Sequence, residues 1–382
     1  MNSEIYLDHA ATAPLRREVG DEMLRVEYDA GFNPSSLHAP GRRARALLDD
    51  CRDRVATQLG AARTEVIFTS GGTESNNHAL LGIAANLPRS SHILTSAIEH
   101  HSVLATLEYL TGEGFEITRL SVGRGGHVAP ERFAEALRPH TRLVSLMYAN
   151  NEIGAVQPVA RLAAMARARG IFFHCDAVQA PCWLPIRADD LGVDALSLSA
   201  HKFAGPKGLG VLYVRSGVPL SPILHGGGQE SGRRSGTENL GSIVGAARAL
   251  ELACEERQTA SATVRSLRDW LEARLLEVTD AHRNGAEPRL PNVINCSFDG
   301  IQSAELLIAL DLAGIAASAG SACAAGALEP SHVLGALELP LRRRRGAIRL
   351  SLGPQTRRSD VERVADIVPK VVAKLRAHSP AA

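Results

Sequence analysis

RLVSLMYANNEIGAVQPVARLAAMARARGIFFHCDA, residues 142–177, sets an amphipathic stretch between two apolar runs. RLVSLMYA and IFFHCDA have the length and composition of strands buried on both faces. PVARLAAMARARG between them has helical spacing, with Pro158 at a plausible first helical position and Gly170 at the stop. Two such strands joined through a helix make a parallel pair, and a parallel sheet needs helices over both faces.

The same alternation extends in both directions. EVIFT (65–69), HILTS (92–96), FEITRLSV (115–122), DALSLSA (194–200) and GVLYVR (210–215) read as further strands. HSVLATLEYLTGEG is apolar at 103, 104, 107 and 110, which is a helical stripe. The expectation is an α/β protein whose large domain holds a mainly parallel seven-stranded sheet. The last third changes character. A long helical region near 240–278 leads into VINCSF, a helix around SAELLIALDLAG, the strands IAASA and AIRLSL, and a final helix near 359–376. That pattern predicts a smaller α+β C-terminal domain, with residues 14–255 forming the large domain and 1–13 and 256–382 the small one.

Composition narrows the function. The chain has 382 residues, 45% of them apolar and 22% charged, an ordinary globular balance. A net charge of +1 gives no global field for nucleic acid or an anionic membrane. MNSEIYLDHAATAPLRREVG carries charges throughout and does not read as a signal peptide. The longest uncharged run, AGIAASAGSACAAGAL, is too short and too small in its side chains to span a bilayer. Six cysteines lie scattered without a CxxC pair or zinc-type spacing, so a reduced, cytoplasmic protein with no metal site is expected.

Four stretches carry chemistry. FTSGGTESNN (68–77) follows a strand and opens a helix: Gly71 and Gly72 allow close approach of a ligand, and Thr73 adds a hydroxyl. A helix N-terminus favours a phosphate by roughly 0.3–1 kcal/mol before specific bonds are added; alone, the stretch reads equally as a capped turn. In SLSAHKFAGPKG (197–208), Lys202 follows a buried strand beside Ser199 and His201, where a poorly solvated amine becomes a nucleophile toward carbonyls. A surface lysine at a strand end is the alternative, and Lys207 in its Gly–Pro–Lys–Gly turn fits that description. HCDAVQ puts Asp176 at a strand's carboxyl end, where α/β sheets bind ligands or where an Asp caps the next helix, with Gln179 following. IEHHSVL adds His100 and His101, one of which could lie at the surface.

Together these residues meet the needs of pyridoxal phosphate: an amine for the Schiff base, a carboxylate for the pyridine nitrogen, donors for the phosphate. The phosphate carries about −1.5 to −2 charge, and charge-assisted hydrogen bonds of about 1.5–3 kcal/mol each outweigh the helix dipole. SAGSACAAGAL (318–328) surrounds Cys323 with the smallest side chains available. It is either a connection holding a small hydrophobe or an arm presenting a nucleophilic sulfur. Arg342 to Arg345 form a basic run that reads as a solvated surface or a dock for an acidic partner.

YLDHAATAP, NPSSLH, FTSGGTESNN, IEHHSVL, NNEIGAVQP, HCDAVQ, SLSAHKFAGPKG, RRSGTEN, SAGSACAAGALEPSHVL and AIRLSLG occur in the order and spacing of cysteine desulfurases. From residue 6 to about 353 the chain resembles the NifS/IscS branch of the fold-type I pyridoxal phosphate enzymes, within the class V aminotransferase family. The resemblance implies that Lys202 binds the cofactor aldehyde, Asp176 pairs with the pyridine nitrogen and His100 stacks on the ring. Gln179 and Asn151 would contact the ring-oxygen side, while Gly72, Thr73, Ser199 and His201 would hold the phosphate. Thr237 would reach the phosphate of the neighbouring subunit, implying a homodimer. Arg349 would grip the carboxylate of L-cysteine, with Asn33 beside it, because a guanidinium binds carboxylates in bidentate fashion. Cys323 would take the sulfur as a persulfide, releasing alanine, and pass it to an acceptor such as an iron–sulfur scaffold or a thiolation enzyme. Two positions depart from the pattern: His9 stands where many relatives have Asn, and Ala13 replaces a Thr. Selenocysteine lyase and aminotransferase activity on the same scaffold are the nearest alternatives, followed by a sulfur carrier or regulatory partner.

Overall fold

The computed structural model describes residues 4–320 and 331–378. Its twelve strands are β1 (Ile5–Tyr6), β2 (Val66–Thr69), β3 (His92–Ser96), β4 (Glu116–Leu120), β5 (Thr141–Met147), β6 (Phe172–Asp176), β7 (Ala195–Ser199), β8 (Gly210–Val214), β9 (Ala281–Arg283), β10 (Val293–Phe298), β11 (Ile315–Ala316) and β12 (Ala347–Ser351). The first seven helices are α1 (Arg17–Asp29), α2 (Ala39–Leu59), α3 (Gly72–Ala84), α4 (His101–Gly112), α5 (Pro130–Ala136), α6 (Val159–Arg167) and α7 (Ala188–Leu191). After them come α8 (Leu240–Leu275), α9 (Ser303–Leu312), α10 (His332–Ala336), α11 (Leu341–Arg345) and α12 (Arg358–His378).

Seven strands form one sheet in the order β2-β8-β7-β6-β5-β3-β4. β3 to β7 pair in parallel, as the alternation requires, whereas β8 runs antiparallel to both β2 and β7. Each strand feeds both faces by its twofold period. Leu94, Val144, Leu196 and Val211 join the core under α2, α6 and α8, while their neighbours Ile93, Leu143, Ala195 and Leu212 join the core under α3 and α4. Each such buried Leu, Ile or Val side chain contributes about 1.5–3 kcal/mol. Pro158 is the N-cap of α6 and not its first helical residue, and Gly170 sits at φ 66 just beyond its end.

A second body of structure holds the sheet β12-β10-β9 and the pair β1-β11. α8 serves both: Ile243 to Ala253 lie in the large core, and Val264 to Leu275 pack with β10, β12, α9 and α12. The IAASA segment is strand only at Ile315–Ala316. Among the described residues, no helix is long and apolar enough to cross a membrane.

Candidate active site

The carboxyl ends of β2, β3, β6 and β7 lead into the residues that the motifs single out. Lys202 lies in a short helical turn, Ala200–Phe203, directly after β7. Its Nζ donates to the carbonyls of Ala10 and Ala11, each at 2.7 Å, and Gln179 Nε2 donates to the same Ala10 carbonyl at 3.0 Å. The N-terminal segment is held there by its own bonds: His9 N–H to Ser351 O, Ala10 N–H to Ser351 Oγ, and Ala13 N–H to His201 O.

Asp176 closes β6 with its carboxylate buried. Oδ1 accepts from the Val178 N–H at 3.1 Å and Oδ2 from Asn76 Nδ2 at 2.7 Å. His100 caps α4, its Nδ1 accepting from the Ser102 N–H at 3.1 Å and lying 2.8 Å from Ser102 Oγ. Burial lowers the His100 pKa, opposed by the Asp176 charge and reinforced by Lys202. His101 is the exposed member of the pair, with its ring 4.7 Å from that of His332.

The β2–α3 junction forms a cradle. Gly71 adopts φ 154 and ψ −179, a conformation essentially confined to glycine. A Cβ at Gly72 would lie 2.8 Å from Val178 Cγ2 and 3.3 Å from Ser199 Cβ, so a side chain at position 72 would have to displace both neighbours. Glu74, in the first turn of α3, reaches back to accept from the Ser70 N–H (2.7 Å) and pairs with Arg234 (2.8 Å), which offsets its charge at the helix start. His201 Nδ1 is 3.1 Å from Thr12 Oγ1, and burial pushes its pKa down to about 4.

The remaining expected residues make other contacts. Arg349 is buried on β12, its Nη2 bound to Asp8 Oδ1 at 2.7 Å and its Nη1 to the Asn151 carbonyl at 2.9 Å, while its Nε has no hydrogen-bond partner. Asn33 is exposed, and its Oδ1 accepts from the Ser35 N–H in a local turn. Thr237 is exposed and lines a cleft with Thr69, Ser70 and Gly208. Cys323 lies outside the described residues. His9 lines a cavity shared with Lys202, Gln179, Cys182 and Trp183.

Several site residues carried no motif signal. The Ala10 and Ala11 carbonyls have no side-chain signature. Asn76 and Ser102 lie inside FTSGGTESNN and IEHHSVL, but those stretches pointed to their glycines, Thr73 and histidines instead. Glu99 is fully buried: Oε1 accepts from Ser96 Oγ, and Oε2 has no partner. Glu152 is buried against both residues that flank 321–330, bonding Ser331 Oγ and lying 3.1 Å from where a Gly320 Cβ would be.

An amine, a buried carboxylate and a side-chain-free helix start on one sheet edge follow the plan of aminotransferase-type enzymes. The aminotransferase class V model matches residues 5–364, and the chain belongs to that family. It is 45% identical to the cysteine desulfurase IscS of Dictyoglomus turgidum, over 100% of this chain and 97% of that one. With the IscS of Methanosarcina thermophila the identity is 46%, covering 99% and 94%. A solved NifS-like protein superposes with a TM-score of 0.92 at 37% identity, covering 97% of this chain and 100% of that chain. The cofactor of this family is pyridoxal 5′-phosphate. The residues present fit it: no side chain at position 71 or 72 covers the start of α3, and Asp176 presents acceptor oxygens.

Proposed function

We propose that the chain is a cysteine desulfurase, converting L-cysteine to L-alanine and taking the sulfur onto Cys323 as a persulfide for delivery to an acceptor protein. The observation that carries this reading is the convergence of the Lys202 amine, the Asp176 carboxylate and the Gly72 cradle, in a chain similar over its whole length to enzymes named for that reaction. Held by Lys202, Asp176 and the Gly72 turn, pyridoxal phosphate would supply an electron sink for the substrate's α-carbon, which would weaken the neighbouring C–S bond.

The chain's own residues do the rest. Gly72, Thr73, Ser199 and His201 would hold the phosphate, and Asp176 would accept the ring N–H. His100 would lie against the ring, with Gln179 and Asn151 toward its oxygen. Lys202 Nζ takes up and returns the substrate's α-proton. Arg349, oriented by Asp8, holds the substrate carboxylate with Asn33. The Cys323 thiolate attacks the substrate sulfur: an S–S bond forms as the Cβ–S bond breaks, the electron pair stays on carbon, and protonation there gives the methyl of alanine. One cysteine enters; one alanine and one persulfide result.

Residues 14–255 form the large domain in this reading, and 1–13 with 256–382 the small one. A second copy completes the site through Thr237. Leu24, Tyr28, Phe32 and Leu37, exposed along α1 and the segment after it, supply apolar surface for that contact, Tyr28 at 84% and Leu37 at 89%. Sedimentation as a monomer would remove the dimer from the proposal. The compartment is the cytoplasm, and the acceptor is an iron–sulfur scaffold or a thiolation enzyme. The central test supplies purified protein with pyridoxal phosphate and L-cysteine, quantifies alanine, and maps the added sulfur by mass spectrometry. Cys323→Ala should keep the yellow absorbance while alanine release falls roughly a thousandfold or more; Lys202→Ala should lose the absorbance. Full turnover by Cys323→Ala, or wild-type protein that stays colourless, rejects the reading.

A further inference from the structure

Asn76 is buried in the second turn of α3, and its amide has a fixed sense. Nδ2 donates one hydrogen to Asp176 Oδ2 at 2.7 Å and the other to Ser102 Oγ at 2.9 Å. Oδ1 is buried with no hydrogen-bond partner. Exchanging the two amide atoms would aim an oxygen at the Asp176 carboxylate, acceptor against acceptor, so the unpaired oxygen is the lesser penalty. The direction then propagates. Ser102 Oγ, already accepting from Asn76, turns its own hydrogen toward His100 Nδ1 at 2.8 Å. The Ser102 backbone N–H, which can only donate, points at the same nitrogen at 3.1 Å. Two donors meet on Nδ1, which leaves no room for a proton there.

We propose that Asn76 is a positioning residue that sets the hydrogen-bond polarity of the whole site. It holds Asp176 as an acceptor and, through Ser102, holds His100 as a neutral imidazole with its proton on Nε2. His100 then offers a ligand a ring face and an Nε2–H donor, and no basic lone pair. The charged and titratable groups around the ring are Asp176 from β6, Lys202 after β7, the adjoining His101 and His332 of α10. Of these, only Asp176 favours a second proton on His100, and its Oδ2 is turned to Asn76. Burial opposes that second proton as well. A substrate proton is therefore received by Lys202 Nζ and not by the imidazole. This inference rests on the proposed reading of the site.

The test reads imidazole nitrogens directly. Long-range proton–nitrogen spectra of protein labelled with nitrogen-15 histidine, with His100 assigned by its loss in His100→Gln, should show bare Nδ1 and protonated Nε2 from pH 6 to 8. In Asn76→Ala, the freed Ser102 hydroxyl can turn away from the ring, so the Nδ1 resonance should move as one of its two donors is lost, while the Ser102 N–H keeps that nitrogen bare. Asp176 also loses a donor, and the dissociation constant for pyridoxal phosphate should rise about tenfold to a hundredfold, the worth of one charge-assisted bond. Ser102→Ala, which keeps the Asn76–Asp176 bond, should alter the His100 pattern while leaving that constant within about twofold; it stands in if Asn76→Ala does not fold. Protonated Nδ1 in the wild type at pH 7 overturns the proposal, as does an unchanged His100 pattern in Ser102→Ala. The spectra are recorded with and without the cofactor. Wild-type protein that binds no pyridoxal phosphate thus defeats the reading of the site, while the imidazole pattern still decides this inference.

Discussion

Glu99 shows how far a single residue can be driven by its surroundings. Burial, with the Asp176 charge nearby, pushes its pKa up to about 8. The folded chain therefore keeps a proton that the unfolded chain releases near the ordinary carboxylate value. Stability from this group is complete below the unfolded pKa and is lost as the pH rises through 8. Glu99→Gln cannot ionise, so its urea midpoint should fall less between pH 5 and 8 than that of the wild type. Equal falls in the two proteins would show that Glu99 is already charged in the fold. Lys202, Asp176 and Gly72 were legible in the sequence because each sits in a run whose residue types suit one task. Asn76 was not, although FTSGGTESNN was read for its glycines: its acceptor lies at position 176, and only the folded sheet brings α3 onto the end of β6.

At the scale of elements, the β2–α3 junction carries the most consequence. A methyl at position 72 would meet Val178 and Ser199 at once. Gly72→Ala should thus close the cradle and raise the dissociation constant for pyridoxal phosphate by about tenfold or more, as expected from losing one phosphate hydrogen bond. Equilibrium dialysis measures this, and unaltered binding would place the phosphate elsewhere. The long elements were readable from periodicity: β3 and β10 match HILTS and VINCSF, and α8 begins at the expected Leu240. The antiparallel sense of β8 was not, because a strand buried on both faces reads the same in either direction. β1, β9 and β11, at two or three residues each, are too short to show a period and exist through their partners.

For the whole molecule, five histidines set the acid limit. Burial is the leading cause that pushes His9, His78, His92, His174 and His201 down to about 4. Each contributes stability that is fully present above its unfolded value near 6.5 and is lost as the pH falls through 4. The urea midpoint should drop steadily from pH 6.5 to 4, with the unfolded chain taking up several more protons than the native one. A flat profile across that interval would mean that these rings are charged within the fold. The N-terminal segment has another outcome at this scale. Ile5 and Leu7 bond to Gly314 and Ala316, Ala10 bonds to Ser351, and the carbonyls of Ala10 and Ala11 seat the Lys202 amine. Ala10 finds its Ser351 partner 341 positions later, so a nascent chain halted before Ser351 has its lysine but not the complete anchorage of the carbonyls that seat it.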